Sequence, residues 1–323
     1  MLTHYRRQAR DLPWRATTDP YRILVSEIML QQTQVPRVRE KYALFLTAFP
    51  TLAALARAPL ARVLQSWQGL GYNRRALLLH RLAQQVTAAD GVLPATPEKL
   101  MALPGIGPAT AAAICAYAYN RPVVYIETNI RAVFIHEFFG GRSGISDAQL
   151  LPLVAQGLDR RNPRRWYNAL MDYGTQLKAR HGNPARRSAH HVRQTRFAGS
   201  DRQVRGGILR HLLADGPQPA ARLAAALAEP PARVRRLLAT LVREGMLTRC
   251  GSAYAVAETV AAPAARPAGA TGAGRRSAGW CRVRAAFPPR PCSCRRPCRA
   301  WCVPAAPARC ARRRARHVQS PRR

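Results

Sequence analysis

The chain has 323 residues, enough for two compact domains or for one large domain with attachments. Its 52 Lys and Arg against 16 Asp and Glu give a net charge of +36, which is typical of a protein that binds a polyanion, usually nucleic acid. No apolar run approaches the roughly 20 residues of a membrane span, and the N-terminus lacks the hydrophobic centre of a signal peptide. We therefore expect a cytoplasmic protein that is associated with the nucleoid and does not bind membranes.

Residues 1–198 are predicted to form a helical domain, because apolar residues recur there at helical spacing between turn motifs such as GLGYN and LPGIG. One such series contains Val35, Val38, Tyr42 and Phe45, and it fits a helix that buries one face. On this pattern alone, the domain would be a helical bundle of no particular function.

Residues 201–258 are predicted to form a second unit of three short helices followed by two small strands around Gly251 and Ser252. That order suggests a winged helix-turn-helix, whose third helix commonly enters a DNA groove. The third helix carries four arginines, Arg233, Arg235, Arg236 and Arg243. A winged helix that serves only as a packing or protein-contact module is the alternative.

Residues 259–323 form a tail rich in Ala, Pro, Arg, Gly and Cys, without a single acidic residue. Such a composition predicts disorder, although translation in a shifted frame is an alternative origin for the tail. Six of the eight cysteines lie here, so a disulfide framework for the main body is excluded. The spacing of Cys292, Cys294, Cys298 and Cys302 lacks the paired CxxC arrangement of structural zinc sites, and we predict no metal.

The motif LPGIGPATAAA is the most specific backbone signal in the chain. Two glycines around Ile106 permit a tight hairpin with positive backbone angles, and Pro108 suits the first turn of the following helix. The exposed amides and the helix N-terminus would together bind a phosphate. We predict a DNA-backbone clamp of the helix-hairpin-helix type, the alternative being a plain connection between helices.

Five motifs together extend this interpretation: SEIMLQQTQV, GLGYNRRALLLH, LPGIGPATAAAI, ETNIRAV and ALMDYG. Their order and spacing resemble the helix-hairpin-helix DNA glycosylase superfamily, and most of all its A/G-specific adenine glycosylase (MutY) branch. The resemblance covers about residues 10–180. It implies an all-α, two-lobed fold with DNA in the cleft, a target base flipped out of the duplex, and hydrolysis of its N-glycosidic bond.

Glu27 is the first predicted catalytic residue. It shares a helical face with Ile23, Leu24 and Leu30, and a carboxyl group held against apolar neighbours should have its pKa raised toward neutrality. A protonated carboxyl group can protonate adenine as it leaves, and the resemblance assigns that role to this glutamate. The alternative is a partly exposed glutamate at a helix edge.

Glu127 is the second predicted catalytic residue, because bond cleavage leaves positive charge on the sugar and a fixed negative group nearby would stabilise it. We expect Thr128 or Asn129 to cap the following helix and so hold the acid at its N-terminus. The family usually has aspartate at this position, and the glutamate side chain is one methylene longer. A purely structural glutamate is the alternative.

The resemblance also implies contacts with substrate and DNA. The QQT motif would contact bases or fill the gap left by the flipped nucleotide, and Tyr72 would stack beside a base, with Arg74 and Arg75 near phosphates. As alternatives, these are ordinary polar helix positions and a packed aromatic ring. The expected substrate-binding residues are Trp14, Arg15, Gln31, Gln32, Thr33, Tyr72 and Asp172. The expected DNA-backbone-binding residues are Leu103, Gly105, Ile106, Gly107, Thr110, Asn129 and Arg131.

Several departures from the family limit what the resemblance implies. Related bifunctional enzymes carry a lysine where Ala109 stands, so we expect hydrolysis without strand cleavage. Most of the family follows this body with four cysteines that hold an iron–sulfur cluster, but residues 171–203 contain no cysteine, and we expect no cofactor. His181, His190 and His191 are assigned to a basic DNA-facing loop. We also expect the family's C-terminal domain that recognises 8-oxoguanine to be replaced by the winged helix, and Asn73 stands where the family usually has a second tyrosine.

The expected function is therefore monofunctional excision of a mispaired adenine, opposite 8-oxoguanine or guanine, in base excision repair. The expected partner is double-stranded DNA with a mismatch or lesion, bound by a monomer. Two alternatives stay open: a glycosylase for another damaged or mismatched base, and a catalytically inactive DNA-binding protein on the same scaffold.

Overall fold

The computed structural model describes residues 2–258, and in that range the chain forms fourteen α-helices and three short strands. The helices of the predicted first domain are α1 Leu2–Gln8, α2 Pro20–Leu30, α3 Val35–Ala48, α4 Leu52–Arg57, α5 Leu60–Ser66, α6 Arg74–Ala89, α7 Pro97–Met101, α8 Pro108–Tyr119, α9 Thr128–Phe139, α10 Asp147–Gly157 and α11 Pro163–His181. Single 3₁₀ turns lie at Pro13–Arg15 and Pro184–Arg187.

Polar caps and prolines explain where many of these helices begin. The Asp19 carboxylate accepts hydrogen bonds from the amides of Tyr21 and Arg22, and Pro20 occupies the first position of α2. The hydroxyl of Thr51 caps α4 in the same way by accepting from the Ala54 amide. Because proline lacks an N–H and has a helical φ, it suits a first turn whose amides have no helical partner.

Two separate hydrophobic cores divide the helical body. The first core lies among α2 to α7 and contains Phe45, Phe49 and Trp67, all almost fully buried. The second core lies among α9, α10 and α11, with Tyr167 and Trp166 packed edge to face. The two cores account for the two lobes expected from the sequence, and the prediction of a mostly helical fold is confirmed.

Helix α8 contributes to both cores. Ile114 and Cys115 are buried in the first core, whereas Ala112 and Ala116 are buried in the second. A helix of small and apolar residues can be buried on opposite faces, since it presents little polar surface on either side. This helix therefore fixes the two lobes against each other and places its N-terminus at their junction.

The hairpin before α8 corrects one detail of the sequence analysis. Gly105 adopts a positive φ of +80°, as predicted, but Gly107 is extended with φ −93° and serves as the N-cap of α8. A Cβ on Gly105 would lie 2.9 Å from the Cβ of Leu78, so only glycine fits there. Leu103 and Ile106 point their side chains into the first core, which leaves the loop backbone as the exposed surface.

The C-terminal part of the described chain forms α12 Asp201–Asp215, β1 Gln218–Pro219, α13 Ala220–Leu227, α14 Pro231–Glu244, β2 Leu247–Cys250 and β3 Ala253–Val256. The strands form an antiparallel sheet in the order β1-β3-β2, and the turn between β2 and β3 contains Gly251. The short strand β1 was not predicted. The fold of the described residues is therefore mostly helical, and its three strands all lie in this C-terminal part.

The apolar side of these C-terminal helices is continuous with the first core. Val204 and Ile208 of α12 and Leu237 and Leu241 of α14 belong to the same buried cluster as the residues of α2 to α7. The domain boundary expected between residues 198 and 201 stays a prediction. Residues 259–323, with the predicted disorder and the cysteine cluster, lie outside the described residues. Within the described range, no helix is both long and apolar enough to cross a membrane.

Candidate active site

A cavity of about 340 Å³ lies where α2, α8 and α11 meet at the junction of the lobes. Its volume is in the range of small-molecule binding sites. The side chains that matter most for its chemistry are Trp14, Arg15, Glu27, Gln31, Thr110, Tyr117, Tyr125, Glu127 and Asn168. Both predicted catalytic carboxyl groups therefore line the same cavity, although one belongs to each lobe.

Glu27 reaches the cavity from the middle of α2. Ile23, Ser26 and Leu30 of the same helix line the cavity beside it, so the helical spacing seen in the sequence holds in the structure. Burial raises the pKa of Glu27 to about 8, and the negative charge of Glu127 adds to the effect. Within the described part of the chain, no group donates a hydrogen bond to this carboxyl. At neutral pH Glu27 therefore holds its proton.

Glu127 is itself the N-cap of α9, which corrects the expectation that Thr128 or Asn129 caps this helix. One carboxylate oxygen accepts hydrogen bonds from the Ile130 amide at 3.0 Å and from the Asn129 amide. Burial raises the pKa of Glu127, while these hydrogen bonds and the nearby Lys178 ammonium oppose that rise. The helix N-terminus thus supplies donors that favour the charged form.

The two carboxyl groups have different surroundings and should therefore carry different charges. Glu127 accepts hydrogen bonds from amides and lies near a cation, whereas Glu27 has apolar neighbours and a negative charge nearby. When two acids interact, the better solvated one ionises first and raises the pKa of the other. Of the two acids, Glu127 is therefore the one whose surroundings support a negative charge.

Arg15 and Trp14 line the cavity, but Asp172 lies behind them. The buried Asp172 carboxylate accepts two hydrogen bonds from the Arg15 guanidinium, at 2.8 and 2.7 Å, and further bonds from Arg10. Burial alone would raise the pKa of Asp172, but the hydrogen bonds from Arg15 and Arg10 hold it below its ordinary value. Asp172 therefore positions Arg15 and is not itself at the cavity surface.

The QQT motif lies between the cavity and an adjoining groove. Gln31 and Thr33 line the cavity, and the Gln31 amide donates to the Thr110 hydroxyl at 3.1 Å. Thr110, which we expected at the DNA backbone, therefore faces the cavity. Gln32 lines only the adjoining groove, which it shares with Gln31, Thr33 and Tyr72, and both Gln32 and Tyr72 have positive φ values, 56° and 47°.

The Tyr72 side chain is held by the chain segment that follows the second lobe. Its hydroxyl accepts hydrogen bonds from Gln194, at 2.7 Å, and from Arg202 of α12. The guanidinium groups of Arg75 and Arg202 each lie 5.5 Å from the ring centre. Gln194 also donates to Gln32 at 2.9 Å. Both residues expected to contact bases on this side are thus engaged by protein groups.

Two arginines have partners other than those expected from the sequence. The Arg75 guanidinium donates to the carbonyl oxygens of Ile28 and Met29, at 2.8 and 2.9 Å, so it completes the C-terminus of α2 and does not lie free for phosphate. Arg131 forms an ion pair with Asp147 at 2.7 Å and is not among the residues that line the cavity. Sequence spacing alone could not reveal either partner.

Several polar residues at or beside the site were missed in the sequence. Tyr117 and Tyr125 line the cavity, with the Tyr125 hydroxyl donating to Tyr117 at 3.4 Å, and burial raises both pKa values well above the ordinary range. Tyr125 could have been found, because it lies two residues before Glu127 on the same side of an extended segment. Asn168 also lines the cavity, and nothing in its motif marked it out.

The two cysteines within the described range do not form a metal site. Cys115 is buried in the first core and Cys250 is exposed on β2. No group of three or more His, Cys, Asp or Glu side chains suited to a metal ion occurs among residues 2–258. The other six cysteines lie outside that range, so the absence of an iron–sulfur cluster stays a prediction, with no step of the chemistry depending on it.

Comparison with known proteins identifies the family. A family model described as HhH-GPD superfamily base excision DNA repair protein matches residues 25–230. The chain is 36% identical over 269 residues to the adenine DNA glycosylase of Mycolicibacterium smegmatis, covering 76% of this chain and 91% of the relative. The identity to the adenine DNA glycosylase of Mycobacterium tuberculosis H37Rv is 34% over 275 residues, covering 77% and 89% of the two chains.

Among solved structures, a thermostable thymine-DNA glycosylase is 26% identical to this chain, with a TM-score of 0.51 over 57% of this chain and 86% of that one. The chain belongs to the HhH-GPD superfamily of base excision DNA repair proteins. Within that family it is a DNA glycosylase, and the resemblance stated from its motifs is confirmed.

Proposed function

We propose that this glycosylase removes adenine mispaired with 8-oxoguanine or guanine, and that it hydrolyses the N-glycosidic bond without cutting the strand. The observation that carries the proposal is the pair formed by Glu27 and Glu127 in a single cavity, where burial raises the pKa of both acids but hydrogen bonds and a nearby cation oppose that rise at Glu127. Both named mycobacterial relatives are adenine DNA glycosylases, and the chain spans about nine tenths of each.

In this mechanism Glu27 protonates a ring nitrogen of the flipped adenine. Adenine leaves poorly as an anion and more readily as a neutral base, so a proton delivered in the transition state lowers the barrier. A carboxyl group with a pKa near 8 is still protonated at neutral pH, which a normal glutamate is not. Glu27 then needs a proton from solvent before the next turnover.

Glu127 acts on the sugar. As the bond to the base breaks, positive charge develops on the sugar ring, and a carboxylate fixed beside it stabilises the transition state. The same carboxylate accepts a proton from the attacking water, since it is the ionised member of the pair. Its attachment to the α9 N-terminus keeps it in place during both steps.

The chemistry of the cavity wall favours water over an amine as the nucleophile. Strand cleavage by a glycosylase requires an amine that forms a Schiff base with the sugar. Ala109 lies on the wall where related bifunctional enzymes have a lysine, and none of the described wall residues is a lysine. We therefore propose a monofunctional enzyme that needs no cofactor for base release.

DNA is proposed to bind by its backbone at the hairpin and at the C-terminal unit. The Gly105–Gly107 turn presents backbone amides, and the α8 N-terminus that follows adds a positive dipole end. Helices α12 to α14 and the three-stranded sheet fit a winged helix, on which Arg235 and Arg243 of α14 are exposed. Arg233 and Arg236 instead pair with Asp201. We propose that the winged helix adds affinity for the duplex and that the protein acts as a monomer.

A second candidate function is the removal of mismatched thymine. It is supported by the thymine-DNA glycosylase structure, 86% of whose chain is covered by the similarity to this protein. A related scaffold can thus accept a different mismatched base. The cavity would then hold thymine, and proton donation by Glu27 would matter less, because thymine leaves more readily as an anion than adenine does.

The test is base release under single-turnover conditions by the full chain. The duplexes carry adenine opposite 8-oxoguanine, adenine opposite guanine, thymine opposite guanine, and matched adenine and thymine. Release of adenine from the first two, with strand breaks appearing only after alkali, supports the proposal. Release of thymine alone supports the second candidate, and tight binding with no release from any duplex contradicts both.

A further inference from the structure

Lys178, a half-buried residue of α11, has no part in the mechanism so far. Its ammonium donates a hydrogen bond to the side-chain oxygen of Asn129 at 2.8 Å, although the two residues are 49 positions apart. It does not line the cavity, and among the described residues its ammonium forms no direct ion pair with a carboxylate. Burying a lysine without a carboxylate partner is unfavourable, which calls for an explanation.

The partner of Lys178 also contacts Glu127. The side-chain amide nitrogen of Asn129 lies 3.4 Å from the second carboxylate oxygen of Glu127 and 3.6 Å from the sulfur of Met171. An ammonium group can only donate hydrogen bonds, so it fixes the Asn129 side chain with the oxygen toward Lys178. The amide hydrogens must then point toward Glu127. Lys178 thus determines which group of Asn129 the carboxylate meets.

Charge acts in the same direction as this hydrogen-bond chain. Burial raises the pKa of Glu127 and lowers the pKa of Lys178, but the opposite charge of each residue opposes the shift of the other. Burial is the larger effect on each group, since it disfavours the charged form of both. The two residues therefore support each other's charge across one intervening amide.

The other titratable groups that act on Glu127 do not help it to ionise. Glu27 faces it from α2 and carries negative charge when it ionises, and Tyr117 faces it from α8 and is neutral when protonated. Among the described residues, Lys178 from α11 is the cation whose charge bears on Glu127. The guanidinium groups of Arg10, Arg15 and Arg164 also line the cavity, but the charge that opposes the raised pKa of Glu127 is that of Lys178. Its removal should leave Glu127 with its hydrogen bonds but without this opposing charge.

We propose that Lys178 is a positioning residue for Glu127, which acts through Asn129 to orient the carboxylate and to keep it charged. The inference rests on the proposed function, which assigns Glu127 to the sugar and its water. It concerns a part of α11 for which the sequence motifs gave no role.

The activity test compares Lys178→Met with Lys178→Arg. Methionine keeps the length of the side chain without its charge, and arginine keeps both charge and donors. In the methionine variant we expect single-turnover base release to fall about tenfold at pH 7, and the acidic limb of the rate profile to move up by about one pH unit. Duplex affinity should stay unchanged, and arginine should restore most of the rate. A methionine variant with the rate profile of the wild type would overturn the proposal.

A loss of rate with the acidic limb unmoved would also overturn it, because a merely structural lysine would act in that way. The control is Lys41→Met, which removes the same charge from α3 at a position that does not line the cavity. It should leave both the rate and the acidic limb unchanged.

A second measurement does not depend on activity. Thermal unfolding of Lys178→Met, Glu127→Gln and the double variant at pH 7 forms a double-mutant cycle. Replacing Lys178 should lower the melting temperature more in the wild-type background than in the Glu127→Gln background, since only a charged Glu127 is stabilised by the ammonium. Additive changes would overturn the proposal. Coupling in this cycle, together with no base release by the wild type, would instead fault the proposed function alone.

Discussion

Glu27 and Glu127 come from different lobes, yet they line one cavity, and the charge of Glu127 raises the pKa of Glu27. The fold thereby links the proton donor to the carboxylate. Without Glu127, the pKa of Glu27 would be raised by burial alone and would therefore be lower. If the two acids had equal surroundings, neither would be favoured as the one that ionises first. Because hydrogen-bond donors among residues 2–258 reach Glu127 and not Glu27, the two groups are distinguished before any substrate binds.

The rate of base release should depend on pH through both acids. It should fall as the pH rises through about 8, where Glu27 loses its proton, and fall again at acidic pH, where Glu127 gains one. In Glu127→Gln the rate should be lower throughout, and the alkaline limb should move to lower pH, because a negative charge beside Glu27 is gone. Single-turnover rates over a pH series give both limbs. An alkaline limb that stays in place in this variant would show that the two acids are not coupled.

The raised pKa of Glu27 should lower the stability of the folded protein at any pH above the ordinary pKa of a glutamate. Its pKa is 4.5 in the reference state and about 8 when folded, so between these values the folded state binds a proton that the unfolded state has released. The contribution of this group to stability is complete below pH 4.5 and is lost as the pH rises toward 8. Glu27→Gln should therefore be more stable than the wild type at pH 8, by on the order of 1–3 kcal/mol after allowance for partial exposure.

Urea unfolding at pH 5 and pH 8 checks this. The stability gained by Glu27→Gln should be small at the lower pH and larger at the higher one. Glu40→Gln, on the exposed side of α3, is the matched control and should change stability little at either pH. If Glu27→Gln were less stable than the wild type at pH 8, the burial of Glu27 would not be what lowers the stability of the folded protein.

The two glycines of the hairpin should respond differently to the same substitution. Gly107→Val should keep the fold, since the backbone is extended there and a Cβ meets no atom within 4 Å, but it should weaken binding to every duplex alike by about tenfold. Gly105→Val should lower stability by about 2 kcal/mol or more, because φ is +80° and Leu78 lies in the way. Titrations with several duplexes, together with thermal melts, separate the two effects. Unchanged affinity in Gly107→Val would show that the hairpin does not bind phosphate. A loss of affinity for one sequence only would show that the hairpin contacts bases.

Asp172 should matter for both stability and substrate binding. Asp172→Asn leaves the Arg10 and Arg15 guanidinium groups without their counter-charge, which should cost about 2–4 kcal/mol of unfolding free energy. The lowered pKa of Asp172 means that its contribution is present at neutral pH and is lost as the pH falls through that pKa. The rate of base release should also fall, because Asp172 positions Arg15 and Arg15 lines the cavity.

Unfolding curves at pH 7 measure the change in stability, and Asp147→Asn is the control. Asp147 pairs with Arg131 in a more exposed setting, so its replacement should lower the unfolding free energy less. Equal losses for the two variants would mean that the Asp172 pair is an ordinary surface ion pair.

The sequence predicted those features that depend on local spacing. The apolar neighbours of Glu27 recur with the helix period, so its place on the inner face of α2 could be read directly. The PGIG turn likewise marked the start of α8. Such patterns involve residues close together in sequence. The helix period alone therefore predicts which of them lie on the same face of a helix.

Features that depend on distant partners could not be predicted. Arg75 follows a glycine-rich turn and resembles a phosphate ligand, yet it binds carbonyl oxygens of α2. Lys178 reaches Asn129 across 49 positions of sequence, and Tyr72 is held by Gln194 across 122. These contacts arise from the packing of the lobes and of α12, which no local motif encodes.

The most direct test of the account is the single-turnover release of adenine by the wild type and by Glu27→Gln, from a duplex with adenine opposite 8-oxoguanine. Glutamine keeps the shape of the side chain but has no acidic proton, so we predict that duplex affinity is retained while release falls by at least about a thousandfold. If Glu27→Gln released adenine at the rate of the wild type, Glu27 would not be the acid, and the mechanism proposed for this cavity would be wrong.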